Sequence, residues 1–262
     1  MKNVFSEAGK HALQAVMARD PFLAFDFDGT LAPIVARPDC ALAPVSVARR
    51  LAQLTALRPV AVITGRRVSD VRPRLGFTPQ FVIGNHGAEW EQAGVVDIDP
   101  ARLDPARTLL RVHAAELAAL GVQVEDKGLS LAVHYRAVRD PVGALAFIRG
   151  LLARLPPGLE VFAGKRVLNV VPGGAPDKGD ALLRLVAAAG ADSAVFIGDD
   201  VNDEAVFTVA PPHWFTVRVG AAPQGSAAAF FIDTQAQIPL LLQDMIDLLT
   251  ARTAGRRRPG GR

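Results

Sequence analysis

An apolar run in "FLAFDFDGTLAP" (22–33) ends in two carboxylates, Asp26 and Asp28, one residue apart, with a glycine and a threonine directly behind them. A buried ionised carboxylate is costly unless it is paired or holds a metal, and two such groups side by side raise each other's pKa unless a cation intervenes. At the carboxyl end of a parallel strand, both acids would face the crevice in which open α/β sheets bind ligands. An isolated pair of this kind could equally be a turn cap beside an exposed acid. "GDDVNDE" (198–204) changes the balance, because Asp199, Asp200 and Asp203 follow a second apolar run. Acids gathered at two strand ends suit a hard, oxygen-seeking cation. Mg2+ fits best, since it is commonly held by one or two carboxylates, waters and a phosphate.

Two further segments suit a phosphate. "VITGRR" (62–67) ends an apolar run at Thr64 and Gly65, which offer a hydroxyl and backbone amides to an anion, although an ordinary strand-to-helix turn would read the same. Lys178 opens a helix-like stretch after "PGGAPD" (172–177). A lysine is poorly placed there, because the helix dipole favours anions at that end. Reaching into the crevice to neutralise a phosphate makes better sense of it, while taken singly it is an ordinary surface residue.

These groups need rigid elements behind them, and the chain supplies an alternation. "FLAFDF" (22–27), "PVAVIT" (59–64), "QFVIG" (80–84) and "AVFIG" (194–198) read as buried strands. "VSVARRLAQLTAL" (45–57), "RVSDVRPRL" (67–75), "KGDALLRLVAAAG" (178–190) and "VNDEAVFTVA" (201–210) read as helices. The pattern predicts an α/β fold, a Rossmann-like parallel-sheet core covered on both faces. The middle of the chain differs. "DPARTLLRVHAAELAALG" (104–121) reads as a helix with Asp104 as N-cap, Pro105 behind it and Gly121 at its end. The strand-like "VQVED" and "LSLAVHYR" follow, and Leu129, Leu131, Val133 and Tyr135 of the second could share one face. A helix opening at Asp140-Pro141 and the strands "LEVFAG" and "RVLNVV" complete an α-β-β-α-β-β block, whose alternation predicts an antiparallel sheet with two helices on one face. The expected division is a discontinuous core, 1–103 and 174–262, with an inserted α/β cap domain, 104–173.

Bulk properties narrow the partners. Of 262 residues, 29 are Lys or Arg and 26 Asp or Glu, a net charge of +3, and the tail "GRRRPGGR" (255–262) alone holds four arginines. The tail reads as a solvated end, with nucleic-acid or acidic-surface binding as the minor alternative. The single cysteine, Cys40, leaves no intrachain disulfide and points to a reducing, cytoplasmic setting. The N-terminus breaks its apolar character at Glu7, Lys10 and His11, unlike a signal peptide, and no run approaches the roughly 18 apolar residues of a membrane span. The expected partner is a small molecule rather than a membrane or a nucleic acid, and the expected state is a monomer or weak oligomer.

In order, "DFDGTLAP", "VITGR", "DKGDAL" and "GDDVNDE" resemble the four motifs of the haloacid dehalogenase superfamily of phosphotransferases. The insertion between the second and third resembles that superfamily's C2-type α/β cap. "GNHGAEW" (84–90), "HYR" (134–136) and "GKRVLNVVP" (164–172) are similar to the trehalose-6-phosphate phosphatases. The resemblance runs from residue 22 to near residue 250.

It implies a Mg2+-dependent phosphatase that converts trehalose 6-phosphate to trehalose and phosphate through an aspartyl-phosphate. Asp26 would be the nucleophile. Asp28 would protonate the leaving sugar oxygen and then activate water. Thr64, Gly65, Arg66 and Lys178 would bind the phosphoryl group. Mg2+ would sit on the Asp26 carboxylate, the Asp28 carbonyl and Asp199, with Asp200 and Asp203 in support. The sugar would meet Glu125, Lys127, His134, Arg136 and Lys165 of the cap, with Asn85 and His86 on the core side. His134 and Arg136 could instead lie on a solvent face, and Lys165 could be a hairpin-turn charge. The family usually has a glutamate where this chain has Asn169, and an amide offers a sugar hydroxyl no charged acceptor. The alternatives are a phosphatase of another sugar phosphate with the same cap (sucrose phosphate or a glycosyl-glycerate phosphate), a mutase, or a non-catalytic sugar-phosphate-binding module.

Overall fold

The structure, a computed structural model, describes residues 1–35, 37–91, 94–95, 98–220 and 225–256. The run Phe22–Phe25 is fully buried at the centre of a nine-stranded sheet among the described residues. Across the sheet the order is Lys2–Asn3, Phe230–Ile232, Phe215–Val219, Ala194–Gly198, Phe22–Phe25, Val60–Ile63, Phe81–Gly84, Glu89–Trp90 and Gly94–Val95. The first seven strands pair in parallel, and the last two are added at the edge through antiparallel pairings.

Strand periodicity sends alternate side chains to opposite faces, which is why a continuous apolar run suits a sheet buried on both. Leu23 and Phe25 join Val60, Val62, Val195 and Ile197 beneath helices Glu7–Met17, Val45–Thr55 and Ile238–Arg256. Phe22 and Ala24 join Ala61, Ile63 and Phe196 beneath helices Lys178–Ala188 and Glu204–Val209. From Phe22–Phe25 the chain builds outward to Val60–Ile63 on one side and later to Ala194–Gly198 on the other. The strand's carboxyl end is therefore the topological switch point, where α/β sheets open a crevice.

Over that end lies a four-stranded antiparallel sheet in the order Gln123–Asp126, Leu131–His134, Val167–Pro172, Leu159–Gly164. Its inner face packs Leu131, Val133, Tyr135, Leu168 and Val170 against Leu110, Leu117, Ile148 and Leu152. Three helices, not two, cover it, because the first predicted helix is interrupted at His113 into Asp104–Val112 and Ala114–Ala119. Asp104 is also not the cap. The capping side chain is Asp99, which accepts from the Ala101 N–H at 2.9 Å and starts a 3-10 turn that runs straight into the helix. Asp140 does cap its helix, accepting from the N–H groups of Val142 and Gly143. Leu129 leaves the face expected for it and packs with Ala88 and Ile98.

Among the described residues no helix is long and apolar enough to cross a membrane. Tail residues 257–262 lie outside the described residues.

Candidate active site

Three neighbouring parallel strands end in Asp26, Thr64 and Asp199, so one sheet edge presents all three to the same crevice. The ladder continues one residue beyond the strands. The Asp26 N–H donates to the Ile197 carbonyl and the Thr64 N–H to the Ile83 carbonyl, each at 2.9 Å. Gly29 turns the chain with φ +80°, and a Cβ there would collide with the Asp199 carboxylate. Only glycine combines that backbone with so close an approach.

Lys178 is buried at the first position of its helix, set by an Asp177/Asp180 capping box. Its Nζ donates to Asp26 Oδ1 and Asp203 Oδ1, both at 2.7 Å. The other Asp203 oxygen accepts from the N–H groups of Asp199 (2.8 Å) and Asp200 (2.9 Å). With both oxygens engaged, Asp203 is a buttress rather than a free ligand. Burial opposes the charge on Lys178, but Asp203 and Asp26 outweigh it and hold the ammonium above its usual pKa.

The acids remain under pressure. Burial pushes the Asp26 carboxyl well above the usual carboxylate range; Lys178 opposes this, and Asp203 and Asp199 add to it. Burial likewise pushes Asp199 up to about 6, against the pull of Lys165. Asp26, Asp199 and Asp203 each bring a carboxylate oxygen within 4.8 Å of the others, and Asp199 Oδ1 is buried without a hydrogen-bond partner. A hard divalent cation fits Asp26 and Asp199 here, because it would satisfy the orphan Asp199 oxygen and relieve the repulsion, with Asp203 as their buttress. Asp200 lines the crevice too, but its side chain is engaged, accepting from the N–H groups of Val201 (2.8 Å) and Lys165 (3.3 Å).

Arg66 lines the crevice, but the structure corrects the expectation for its guanidinium. Its guanidinium is spent on protein groups: Nε and Nη2 grip the two Asp28 oxygens at 2.7 Å each, Nη1 donates to Asp70 at 2.7 Å, and Nη2 also reaches the Pro38 carbonyl. Burial opposes its charge, but the bonds to Asp28 and Asp70 more than compensate. Arg66 holds Asp28; it does not present a free fork to a phosphate. Thr64 and Gly65 do line the crevice, but the Gly65 carbonyl is taken by Lys127 Nζ at 3.0 Å.

The crevice encloses about 740 Å3 between the core's strand ends and the outer face of the cap sheet. Glu125, Lys127, His134, Arg136, Lys165 and Asn169 all line it, with His86 from the core. They are mutually engaged. Glu125 accepts from His134 at 3.0 Å, and that bond holds its carboxyl below the usual range. Arg136 reaches the carbonyls of Val35 and Lys165. Lys165 pairs with Asp199. Burial lowers the pKa of Lys127. His86, in a left-handed backbone conformation (φ +60°), is kept neutral by burial and by nearby Lys127 and Lys178. Its ring meets Phe162 of the cap edge-on, with centroids 5.0 Å apart, and its Nδ1 pairs with the Asn202 amide at 3.1 Å.

Asn85 is also corrected. It does not face the crevice. Its amide donates to Glu89 at 2.7 Å and its Oδ1 accepts from Ser130 Oγ at 2.8 Å, so its polar atoms tie core to cap. Glu89 and Asn202 have no role in the sequence reading, although they lie inside "GNHGAEW" and "GDDVNDE". Nor does Arg218, buried in strand Phe215–Val219, which donates to the carbonyls of Asp199 (3.2 Å) and Asp200 (3.4 Å) and to Glu204 (2.8 Å). A lone arginine inside a buried strand is the signal that marks it.

Comparison with known proteins identifies relatives of the chain and of its fold. The family model described as trehalose-phosphatase matches residues 24–234. A trehalose-phosphate phosphatase of Mycobacterium bovis (strain BCG / Pasteur 1173P2) is 34% identical over 248 residues, covering 87% of this chain and 63% of that protein. The chain thus spans less than two thirds of that curated relative. The C-terminal domain of a C. albicans trehalose-6-phosphate phosphatase superposes with a TM-score of 0.77 at 22% identity, over 92% of this chain and 96% of that one. A phosphatase of the haloalkanoate (HAD) superfamily from Bacteroides thetaiotaomicron shares the fold, with a TM-score of 0.60 at 18% identity, over 87% and 94%.

Proposed function

The chain belongs to the trehalose-phosphatase family, and from that premise we propose that it is a Mg2+-dependent phosphatase hydrolysing trehalose 6-phosphate to trehalose and phosphate. One observation carries this: Asp26, Thr64, Lys178 and Asp199 converge at one sheet edge, facing a cavity whose opposite wall is polar cap residues. A carboxylate beside a buried ammonium suits attack on phosphorus, and a wall of convergent polar groups suits a molecule rich in hydroxyls. We take 104–173 as a cap over a core of 1–103 and 174–262. We take the enzyme to be cytoplasmic and monomeric or weakly associating; among the described residues no helix is long and apolar enough to cross a membrane.

In the proposed reaction Asp26 attacks phosphorus, the bond from phosphorus to the sugar oxygen breaks, and Asp28 gives that oxygen its proton. Asp28 then takes a proton from the water that attacks the aspartyl-phosphate, releasing phosphate and restoring Asp26. Lys178 and Thr64 hold the phosphoryl oxygens as charge shifts. The Asp26 carboxylate, the Asp28 carbonyl and Asp199 would hold Mg2+, with Asp203 and Arg218 supporting the loop. When bound, the ion supplies the positive charge that lets a carboxylate approach a phosphate dianion.

A panel of phosphorylated sugars assayed with Mg2+ and with chelator tests this. Trehalose 6-phosphate should be turned over fastest, and chelation should abolish release. Preference for sucrose phosphate or a glycosyl-glycerate phosphate would overturn the substrate, a possibility that Asn169 makes worth testing. No phosphate release from any of the panel would favour a binding module. Arg66→Lys keeps the charge near Asp28 but loses the bidentate grip. Because misplacing a reacting group by about an ångström can cost up to roughly 100-fold, kcat should fall about 10-fold or more with KM little changed. Unchanged kcat would show that Asp28 needs no such orientation.

A further inference from the structure

Lys165 stands at the turn of the cap hairpin between Leu159–Gly164 and Val167–Pro172, beside Arg166 with φ +62°. Its ammonium pairs with Asp199 Oδ2. Its own N–H reaches Asp200 Oδ2 at 3.3 Å, and Arg136 Nη2 donates to its carbonyl at 3.3 Å. The two partners differ sharply: the Asp199 side chain is 3% exposed, the Lys165 side chain 44%. Lys178, the core's own buried lysine, bonds Asp26 and Asp203 instead. Among the described residues, the ion pair on the Asp199 carboxylate therefore comes from the cap, while its second oxygen is buried and unpartnered.

We propose that Lys165 is a tethered cation that competes with the metal ion for Asp199, so that the cap hairpin sets metal affinity and metal binding frees the hairpin toward the sugar crevice; this presupposes the metal site proposed above. An ammonium and a divalent ion on one carboxylate repel each other at close range. A divalent ion carries the larger charge and can also use Asp26 and the orphan Asp199 Oδ1. A half-exposed lysine on a flexible stem loses little when displaced, because such pairs are weak and the head returns to water. Linkage makes the effect reciprocal: whatever draws the hairpin off Asp199 tightens the metal, and the metal loosens the hairpin by the same factor.

Calorimetric titration of MgCl2 into the full chain, without substrate, tests this. Lys165→Met should bind Mg2+ about three- to fivefold more tightly than wild type, the size expected from losing one ion pair whose cation is half-exposed. Lys165→Arg, which keeps a cation on Asp199, should stay near the wild-type value. In wild type, Mg2+ should speed amide hydrogen exchange at residues 164–167. If wild type binds no Mg2+, the metal reading and the competition fall together. If wild type binds but Lys165→Met binds no more tightly, the competition alone is overturned. It is overturned also if the arginine variant tightens equally, or if Mg2+ leaves hairpin exchange unchanged or slower.

Discussion

Asp26→Asn should lower kcat by at least about 10³-fold while leaving the melting temperature at or above that of wild type, since loss of a nucleophile removes a chemical step outright. The two effects separate because Asp26 is both chemically central and costly to bury. Burial pushes its carboxyl well up, and Asp203 and Asp199 crowd it. Asparagine removes one acid from that cluster, yet Lys178 keeps its 2.7 Å bond to Asp203. The fold therefore loses a repulsion while the reaction loses its attacking group. Steady-state kinetics and thermal denaturation on the same preparation check both halves. Turnover within 10-fold of wild type would overturn the nucleophile assignment. An acid-quenched reaction should also yield a phosphorylated peptide containing Asp26 from wild type and none from the variant.

Lys178→Met should fail in both respects. Its ammonium is the shared partner of two buried carboxylates, and removing one side of a buried ion pair typically costs about 3–5 kcal/mol. For a chain of this size that is roughly a 10 °C fall in melting temperature. Activity should fall with it, because Asp26 loses its positioning bond and the phosphoryl group loses a cation. The pH signature distinguishes this from a packing defect. A carboxyl raised by burial costs stability in its charged form, above its pKa, and the cost is relieved as pH falls and the group is protonated. Without Lys178 the Asp26 charge is more costly still, so the gap to wild type should narrow as pH is lowered. A gap that does not change with pH would locate the defect in packing rather than charge.

Both predictions concern residues that stand out in the amino-acid sequence itself. Asp26, Asp28, Thr64 and Asp199 are legible because each closely follows a short apolar run, and strand periodicity is a local property of neighbouring residues. The same logic marks Lys178 behind a glycine- and proline-rich loop. Pattern misleads where a residue's type is informative but its partner is not. Arg66 beside a phosphate-like turn reads as an anion binder, yet its partner is Asp28, 38 positions away. Asn85 reads as a crevice residue, yet Ser130, 45 positions on, claims its carbonyl oxygen.

The sequence by itself therefore determined the fold class, the candidate reacting groups and the family, because these depend on local alternation and on short motifs. Only the tertiary structure decided who touches whom: Lys178 on Asp26 across 152 positions, Lys165 of the cap on Asp199 across 34, Arg66 on Asp28. The reason is physical. Donors and acceptors are sated by whichever partner the sheet order and the cap's docking bring within about 3 Å, and no local pattern encodes that choice.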